Sequence, residues 1–256
     1  MTFKGPAGWI AGVGLAALTL VSCLGLYARI LAGRARLDVP AFAAALHQAG
    51  LSILPAITLV MAAIGLILGH QVEGILTDYD LPVAIILTVA FVLILEILPV
   101  LVGILVAGRA GVALAVRQAT LTATGEMDGL LVCGIHPLQF TVAPVLLAML
   151  LMSFAFVVWG TLVTFVMAGA WLWVNTGVAP SLFLEMLSKT LTVGALVEAL
   201  LKPLLFAVLI ALIATVHGSG AGRQPAGIAG AATRTMIGAV TAILVTDLLY
   251  IILVRG

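Results

Sequence analysis

This sequence contains few charged residues. Asp, Glu, Lys and Arg make up 8% of its 256 residues and hydrophobic residues 64%, against roughly 25% and 45–50% in soluble domains. Such a surface cannot be kept in water, which excludes an ordinary soluble protein. A chain of this length can build about five or six helices of roughly 20 residues that cross a membrane. We therefore expect a single membrane domain over residues 1–256.

Cysteine and clustered basic residues are also scarce. The two cysteines, Cys23 and Cys133, lie far apart in apolar surroundings, a pattern that offers neither a disulfide framework nor a metal spacing. The eleven Lys and Arg residues are spread thinly. Because no basic run or basic helix face is present, we set nucleic-acid binding aside.

Motifs of enzyme chemistry are missing too. The four histidines, His47, His70, His136 and His217, stand alone without H-E-x-x-H or another ligand spacing. The sequence has no G-x-S-x-G elbow and no G-x-x-x-x-G-K-[ST] loop. We expect no catalytic residue, metal site or cofactor on this chain, so any energy source lies on another polypeptide.

Long apolar runs are what the sequence does contain. Five of them predict membrane-spanning helices, at 49–69, 81–107, 138–174, 200–216 and 236–254. A sixth run, 7–28, is long enough to cross but has basic residues at both ends. Basic residues favour the cytoplasm, so this run is expected to lie in or dip into the inner leaflet and to be retained.

The charges favour a topology with five spans. It places 70–80 and 175–199 outside and 108–137 and 217–235 inside; a six-span alternative inverts every loop after residue 30 and ranks second. The inside basic residues are Lys4, Arg29, Arg34, Arg36, Arg109, Arg117, Arg223 and Arg234. The outside charges are Glu73, Asp78, Asp80, Glu185 and Glu198, with Lys189, Lys202 and Arg255.

The outside connection from Pro180 to Glu198 alternates apolar and polar residues at helical spacing. This pattern predicts an amphipathic helix on the outer surface. Both a functional surface helix and a lid that only seals the helix bundle fit it. Glycine pairs at Gly8/Gly12 and Gly65/Gly69 would allow close approach of helices, within or between subunits.

Two acids fall near the middle of predicted spans, Glu96 and Asp247. A lone carboxylate there costs about 2.5–3.5 kcal/mol or more, so each needs a partner, a water-filled cavity or a proton. Either acid can belong to a substrate path, or be a structural carboxylate hydrogen-bonded between helices. Pro99 follows Glu96 by three residues and favours a bend in that helix.

The inside connection 108–137 is long and polar for so apolar a chain. Its stretch Thr124-Gly125-Glu126-Met127-Asp128 predicts an N-cap at Thr124 followed by acids in the first turn of a short helix. A short cytoplasmic helix indicates a docking surface for a partner, and a plain surface loop is the alternative.

Two groups of short motifs stand out. Between residues 96 and 144 they are Glu96-Ile-Leu-Pro99, Val106-Ala-Gly108-Arg109-Ala-Gly111 and Gly134-Ile-His-Pro137 with Pro144. Near the C-terminus they are Ala226-Gly227-Ile228, Ala231-Ala-Thr233-Arg234-Thr235 and Asp247 before an apolar tail. In order and spacing, from about residue 45 to the end, the chain resembles the MlaE-type permeases, the membrane subunits of MCE-linked bacterial lipid ABC transporters.

The resemblance implies an all-α integral membrane fold, with an N-terminal interfacial or elbow helix in 1–45 and five transmembrane helices in 46–256. It implies a homodimer in the bacterial inner membrane that works with cytoplasmic ABC ATPase subunits and a periplasmic hexamer of MCE-domain proteins. The cargo would be a phospholipid-like lipid, and ATP and Mg²⁺ would bind to the ATPase.

Site residues carry over only where the motif matches. Glu96 and Asp247 match the family's intramembrane acids, and the coupling helix on the ATPase falls at 117–131. The coupling residues would be Arg117, Thr124, Glu126, Met127 and Asp128, and the other matched positions are Arg109, Gly111, Pro137 and Arg234.

The chain also departs from the family pattern. Leu95 stands where the family usually has Arg, and Arg117 is a base where the family has an acid, which marks a divergent member. An ion-coupled secondary transporter of a hydrophobic substrate is the alternative function, although no internal repeat supports it.

Overall fold

The regular structure of this chain is helical throughout the residues that the computed structural model describes, which are 6–36, 38–78, 82–222 and 224–254. The helices are α1 Pro6–Leu31, α2 Val39–Leu46, α3 Leu54–Asp78, α4 Val83–Val106, α5 Val112–Thr124, α6 Glu126–Val132, α7 Pro137–Thr141, α8 Ala143–Thr176, α9 Pro180–Thr190, α10 Val193–Ser219 and α11 Pro225–Val254. Single π-helical turns at His47–Leu51 and Ala107–Gly111 follow α2 and α4.

Six helical stretches of the described chain are long and apolar enough to cross a membrane: Ile10–Leu31, Val39–Asp78, Val83–Thr124, Pro137–Thr176, Val193–Ser219 and Pro225–Leu253. The last five coincide with the five predicted spans and mostly extend beyond them, which confirms the all-α membrane architecture. The first coincides with the run 7–28, whose interfacial placement stays a prediction. Of the residues used in the charge argument, Lys4, Asp80, Arg223 and Arg255 lie outside the described residues.

Proline and capping residues set several helix starts. Asp38 precedes α2 and its Oδ1 accepts a hydrogen bond from the backbone N–H of Ala41 at 3.1 Å, which satisfies one of the free amides of the first turn. Pro137 and Pro180 are the first residues of α7 and α9, where a missing N–H costs nothing. Pro144 is the second residue of α8, so the 34-residue helix continues beyond it.

The connection 108–137 is mostly helical. The α4 helix leads through the π-helical turn into α5, and the stretch Val83–Thr124 has no irregular chain within it. The turn that follows is Gly125, with φ 79°, a left-handed conformation that suits glycine. What the sequence predicted as a long loop is therefore a helical extension, a one-residue joint and the short helices α6 and α7.

The connection that is predicted to lie outside is a helix, as expected, but a shorter one. The amphipathic helix α9 ends at Thr190, and Leu191 and Thr192 separate it from α10. Residues 193–198 begin α10 and are not part of the surface helix, which corrects the predicted end at Glu198.

The chain divides into two compact units. The first comprises Met1–Ile53, Gly103–Met152 and Leu205–Gly256. In it the N-terminal helix α1 is held by two long-range bonds: the Tyr27 hydroxyl donates to the carbonyl of Ala143 at 2.6 Å, and Arg29 Nη2 donates to Gln139 Oε1 at 2.8 Å. These bonds fix α1 against α7 and the start of α8.

The second unit comprises Leu54–Val102 and Ser153–Leu204. Its core contains the ring of Phe91, which packs edge-on against Phe165 and Phe183 with centroids 5.2 and 4.9 Å away. Gly65 and Gly69 of α3 face α8 so closely that a Cβ on Gly65 would lie 2.5 Å from the carbonyl oxygen of Thr164. The glycine pair predicted from the sequence thus brings two helices of one chain together.

Candidate functional site

A buried cluster of three charges lies within the second unit. Lys202 Nζ is 2.5 Å from Glu96 Oε2 and 3.2 Å from Glu198 Oε1. The side chain of Lys202 is 4% exposed, and those of Glu96 and Glu198 are 18% and 16% exposed. One ammonium between two carboxylates leaves one excess negative charge on these three groups when all are ionised. Such a cluster, inside helices that are otherwise apolar, marks a functional candidate.

The local sequence explains how the cluster forms. Glu198 and Lys202 are four residues apart on α10, the spacing that puts two side chains on one helix face. Glu96 lies on α4, which continues unbroken through Pro99 to Val106. Proline there leaves the carbonyl of Leu95 without its usual helical partner. The cluster therefore joins an i,i+4 pair of one helix to an acid of another.

Sequence reasoning identifies Glu96 but misses its partner, since it places Lys202 and Glu198 only among the charges of the outside connection. The available signal is an acid and a base four residues apart in an apolar segment, next to Pro203. The pairing itself joins residues that are 106 positions apart in the sequence, and a local sequence pattern cannot predict a contact between residues so far apart.

Asp247, the other predicted intramembrane acid, lies on α11 in the first unit and is partly buried. Its Oδ1 is shielded from solvent. Its placement on a long apolar helix agrees with the expectation that this acid is held within the membrane part of the chain. Its role as a functional acid stays a prediction.

The predicted coupling residues form a corner between α5 and α6. Acids do occupy the first turn of α6, at Glu126 and Asp128, where they complement the positive end of the helix. The N-cap predicted at Thr124 is wrong: Thr124 is the last residue of α5, and Gly125 precedes α6 without a capping side chain. The reason is the left-handed turn between the helices, which places glycine at the cap position.

Thr124 instead links the two helices. Its hydroxyl lies 2.9 Å from Glu126 Oε1 and 3.1 Å from the carbonyl of Thr120. None of the seven residues of α6, all of them described, is buried. Val132 at its end is 88% exposed. A short helix on the surface that ends in exposed apolar side chains is typical of a surface that a partner covers.

A groove of about 440 Å³ lies beside this corner in the first unit. Arg117 and Glu126 both line it, so the structure brings together two of the predicted coupling residues, a base of α5 and an acid of α6. Behind it, the buried Gln118 donates through Nε2 to the Thr141 hydroxyl at 2.7 Å. The groove residues are Arg117, Leu121, Glu126, Gly129, Leu130, Cys133, Phe140 and Thr141.

The other family-matched residues also lie in the first unit. Gly111 ends the π-helical turn, and a Cβ there would lie 2.5 Å from Ile210 Cγ2, so only glycine fits without a shift. Pro137 is buried at the start of α7. Arg109 and Arg234 are exposed, and Thr235, next to Arg234, is buried with its hydroxyl 3.4 Å from His217 Nδ1.

The chain as a whole is similar to known proteins. The sequence model of the family described as Permease MlaE matches residues 42–253. The intermembrane phospholipid transport system permease protein MlaE of Haemophilus influenzae is 27% identical over 225 residues, which cover 86% of this chain and 85% of the relative. A probable ABC transporter permease protein of Rickettsia typhi is 24% identical over 201 residues, covering 78% of this chain and 77% of the relative.

The family match extends over most of the chain, including α3 to α10 in full. Together with the long apolar helices, it makes the protein a multi-pass membrane protein of the inner membrane and a transport component. The chain belongs to the MlaE permease family.

Proposed function

We propose that this chain is the permease subunit of an ABC transporter that moves phospholipid-like lipids between the inner membrane and a periplasmic MCE protein. The Haemophilus influenzae relative carries intermembrane phospholipid transport in its name, and the Rickettsia typhi relative is named as a probable ABC transporter permease. Two copies of the chain would enclose a lipid-filled cavity that opens to the periplasm, where a hexamer of MCE-domain proteins docks.

The observation that carries the proposal is the α5–α6 corner. It combines an exposed apolar helix end with a groove that holds Arg117 and Glu126. A cytoplasmic ATPase subunit with complementary charges would cover this corner, and ATP and Mg²⁺ would be bound on that subunit. Movement of the ATPase would reach the membrane helices through the continuous helical stretch Val83–Thr124.

The charged cluster supports a lipid cargo. Charges are costly within the membrane and persist where they contact each other, water or a polar substrate group. Glu96, Lys202 and Glu198 supply both signs of charge in one place, as a zwitterionic or anionic headgroup requires. In this proposal Glu96 and Asp247 tune the cavity or the helix contacts and take no part in covalent chemistry.

The test is purification of the chain from its native membrane, followed by lipid transfer between vesicles. We expect a nucleotide-hydrolysing subunit to co-purify, and fluorescent phospholipid to move only when ATP and Mg²⁺ are present. Glu96→Gln is expected to reduce the rate while the complex stays assembled. Transfer by the purified chain alone, or a complex without any ATPase, would contradict the proposal.

One observation favours the alternative, an ion-coupled secondary transporter. A buried acid and base in membrane helices is also what ion coupling uses, and the Glu96–Lys202 pair provides one. The same vesicles separate the two functions. A proton or sodium gradient without ATP would drive a secondary transporter, whereas the permease proposed here would remain inactive under that gradient.

A further inference from the structure

An apolar groove lies in the second unit, between the membrane helix α8 and the surface helix α9. Its volume is about 450 Å³. Of the described residues that line it, only Thr161 and Trp173 carry a polar group. The lining residues are Val158, Thr161, Leu162, Phe165, Val166, Gly169, Ala170, Trp173, Pro180, Phe183, Leu184, Leu187 and Leu191.

The helix α9 presents three different faces. Phe183, Met186 and Thr190 are buried. The ring of Phe183 packs against Gly169 of α8, where an added Cβ would lie 3.2 Å from Phe183 Cε1. The opposite face carries the exposed ion pair Glu185–Lys189, with its charged atoms 2.6 Å apart. The third face lines the groove. The ion pair places the outer side of α9 in water, and the groove face therefore points along the boundary between water and hydrocarbon.

The length of the groove suits a hydrocarbon chain of a membrane lipid. Along α8 it extends from Val158 to Trp173, which is about 22 Å at about 1.5 Å per residue. A leaflet with its headgroup region is also about 20–22 Å thick. The walls are apolar along this length, so an extended methylene chain can contact them throughout.

A polypeptide segment fits this groove poorly. An extended peptide segment would bring backbone N–H and C=O groups against walls that carry almost no hydrogen-bonding partners, and hydrocarbon surroundings do not satisfy them. A hydrocarbon chain has no such groups and matches the walls along their whole length.

We propose that the α8–α9 groove is a binding site for one acyl chain of a bilayer lipid. In the five-span topology α9 lies on the outer side, so the lipid comes from the outer leaflet of the inner membrane. The site lies apart from the Glu96–Lys202–Glu198 cluster in its lining residues, and it holds a lipid whether or not that lipid becomes cargo.

The experiment uses the full complex in vesicles of phosphatidylethanolamine and phosphatidylglycerol. The probe is phosphatidylethanolamine with a photoreactive diazirine near the methyl end of one acyl chain. After illumination, labelled peptides are mapped by mass spectrometry. We expect adducts concentrated in 158–173 and 180–191. Uniform labelling along every exposed face of α8 would mean annular lipid only and would overturn the proposal.

Matched substitutions on α8 sharpen the result. Ala170 lines the groove and is exposed, so Ala170→Phe fills it without entering the core. Ala155 is an exposed alanine of the same helix outside the groove, and Ala155→Phe is the control. The phenyl ring would take up space that the acyl chain occupies, so Ala170→Phe is expected to reduce labelling of both segments about tenfold. Ala155→Phe is expected to leave the labelling unchanged.

A graded variant guards against misfolding. Ala170→Val adds two methyl groups and is expected to reduce labelling by less than Ala170→Phe while the complex elutes normally in size-exclusion chromatography. Equal labelling of the native chain and of both groove variants would overturn the proposal. So would cross-links between two copies through these residues, because a second copy would then occupy the groove.

Discussion

Lys202 is the residue on which the charged cluster depends, because its ammonium contacts both Glu96 and Glu198. Lys202→Met keeps most of the length of the side chain but leaves two carboxylates close together without the cation. Removal of one partner of a buried ion pair typically costs about 3–5 kcal/mol. We expect a loss of that size in the free energy of unfolding, measured by denaturant titration in detergent micelles.

The double variant Lys202→Met/Glu96→Gln tests the pairing directly. In this variant Glu198 no longer faces a second carboxylate at position 96. We therefore expect the double variant to be more stable than Lys202→Met alone. Glu96→Gln by itself is the third corner of the cycle. Additive losses in unfolding free energy would show that the two side chains do not interact. Restored stability without restored lipid transport would separate a functional role from a structural one.

Gly65 is a residue whose missing side chain matters. In Gly65→Ala the new Cβ meets the carbonyl oxygen of Thr164 at 2.5 Å, and overpacking of this kind costs about 1–3 kcal/mol. Gly74 lies on the same helix, and a Cβ added there would have no neighbour within 4 Å. Gly74→Ala is thus the control and is expected to be neutral or to stabilise by about 0.5–1 kcal/mol. Thermal unfolding in detergent measures both, and equal midpoints would contradict the close packing of α3 on α8.

At the scale of elements, the α5–α6 corner is expected to bind the ATPase through its apolar end. Val132 is 88% exposed at the end of α6, and Val193 is 80% exposed at the start of α10. Val132→Asp places a charge in the proposed interface and is expected to lower ATPase co-purification at least about tenfold. Val193→Asp is the matched control and should leave it unchanged. Equal recovery of the ATPase with both variants would exclude this corner as the docking surface.

Elements were predictable where the signal is local. Hydropathy placed five spans because a membrane helix needs a long apolar run, and helical spacing found α9 because its polar and apolar faces alternate. The end of α9 and the cap of α6 were wrong because single residues decide them: Thr192 between two helices, and Gly125 in a left-handed turn. The partner of Glu96 could not be predicted, since it depends on how α4 packs against α10.

At the scale of the whole molecule, the charge distribution predicts which side of the membrane each connection faces. The five-span topology puts α6 in the cytoplasm and α9 outside, and the six-span alternative reverses both. The chain carries a natural reporter, because Cys133 is exposed just after α6 while its other cysteine, Cys23, is buried. Ser188 is an exposed residue of α9, so Cys133→Ser/Ser188→Cys moves the reporter to the other connection.

A membrane-impermeant maleimide distinguishes the two topologies. With the outer membrane permeabilised, we expect it to label the Ser188→Cys variant in whole cells and to leave the native Cys133 unlabelled. Inverted inner-membrane vesicles, stripped of the peripheral subunits that would cover Cys133, should give the opposite pattern, because their cytoplasmic face points outward. Labelling of Cys133 in whole cells would support the six-span arrangement. It would also move the α5–α6 corner to the periplasmic side, where no ATP-hydrolysing subunit could reach it, so the docking proposal depends on this measurement.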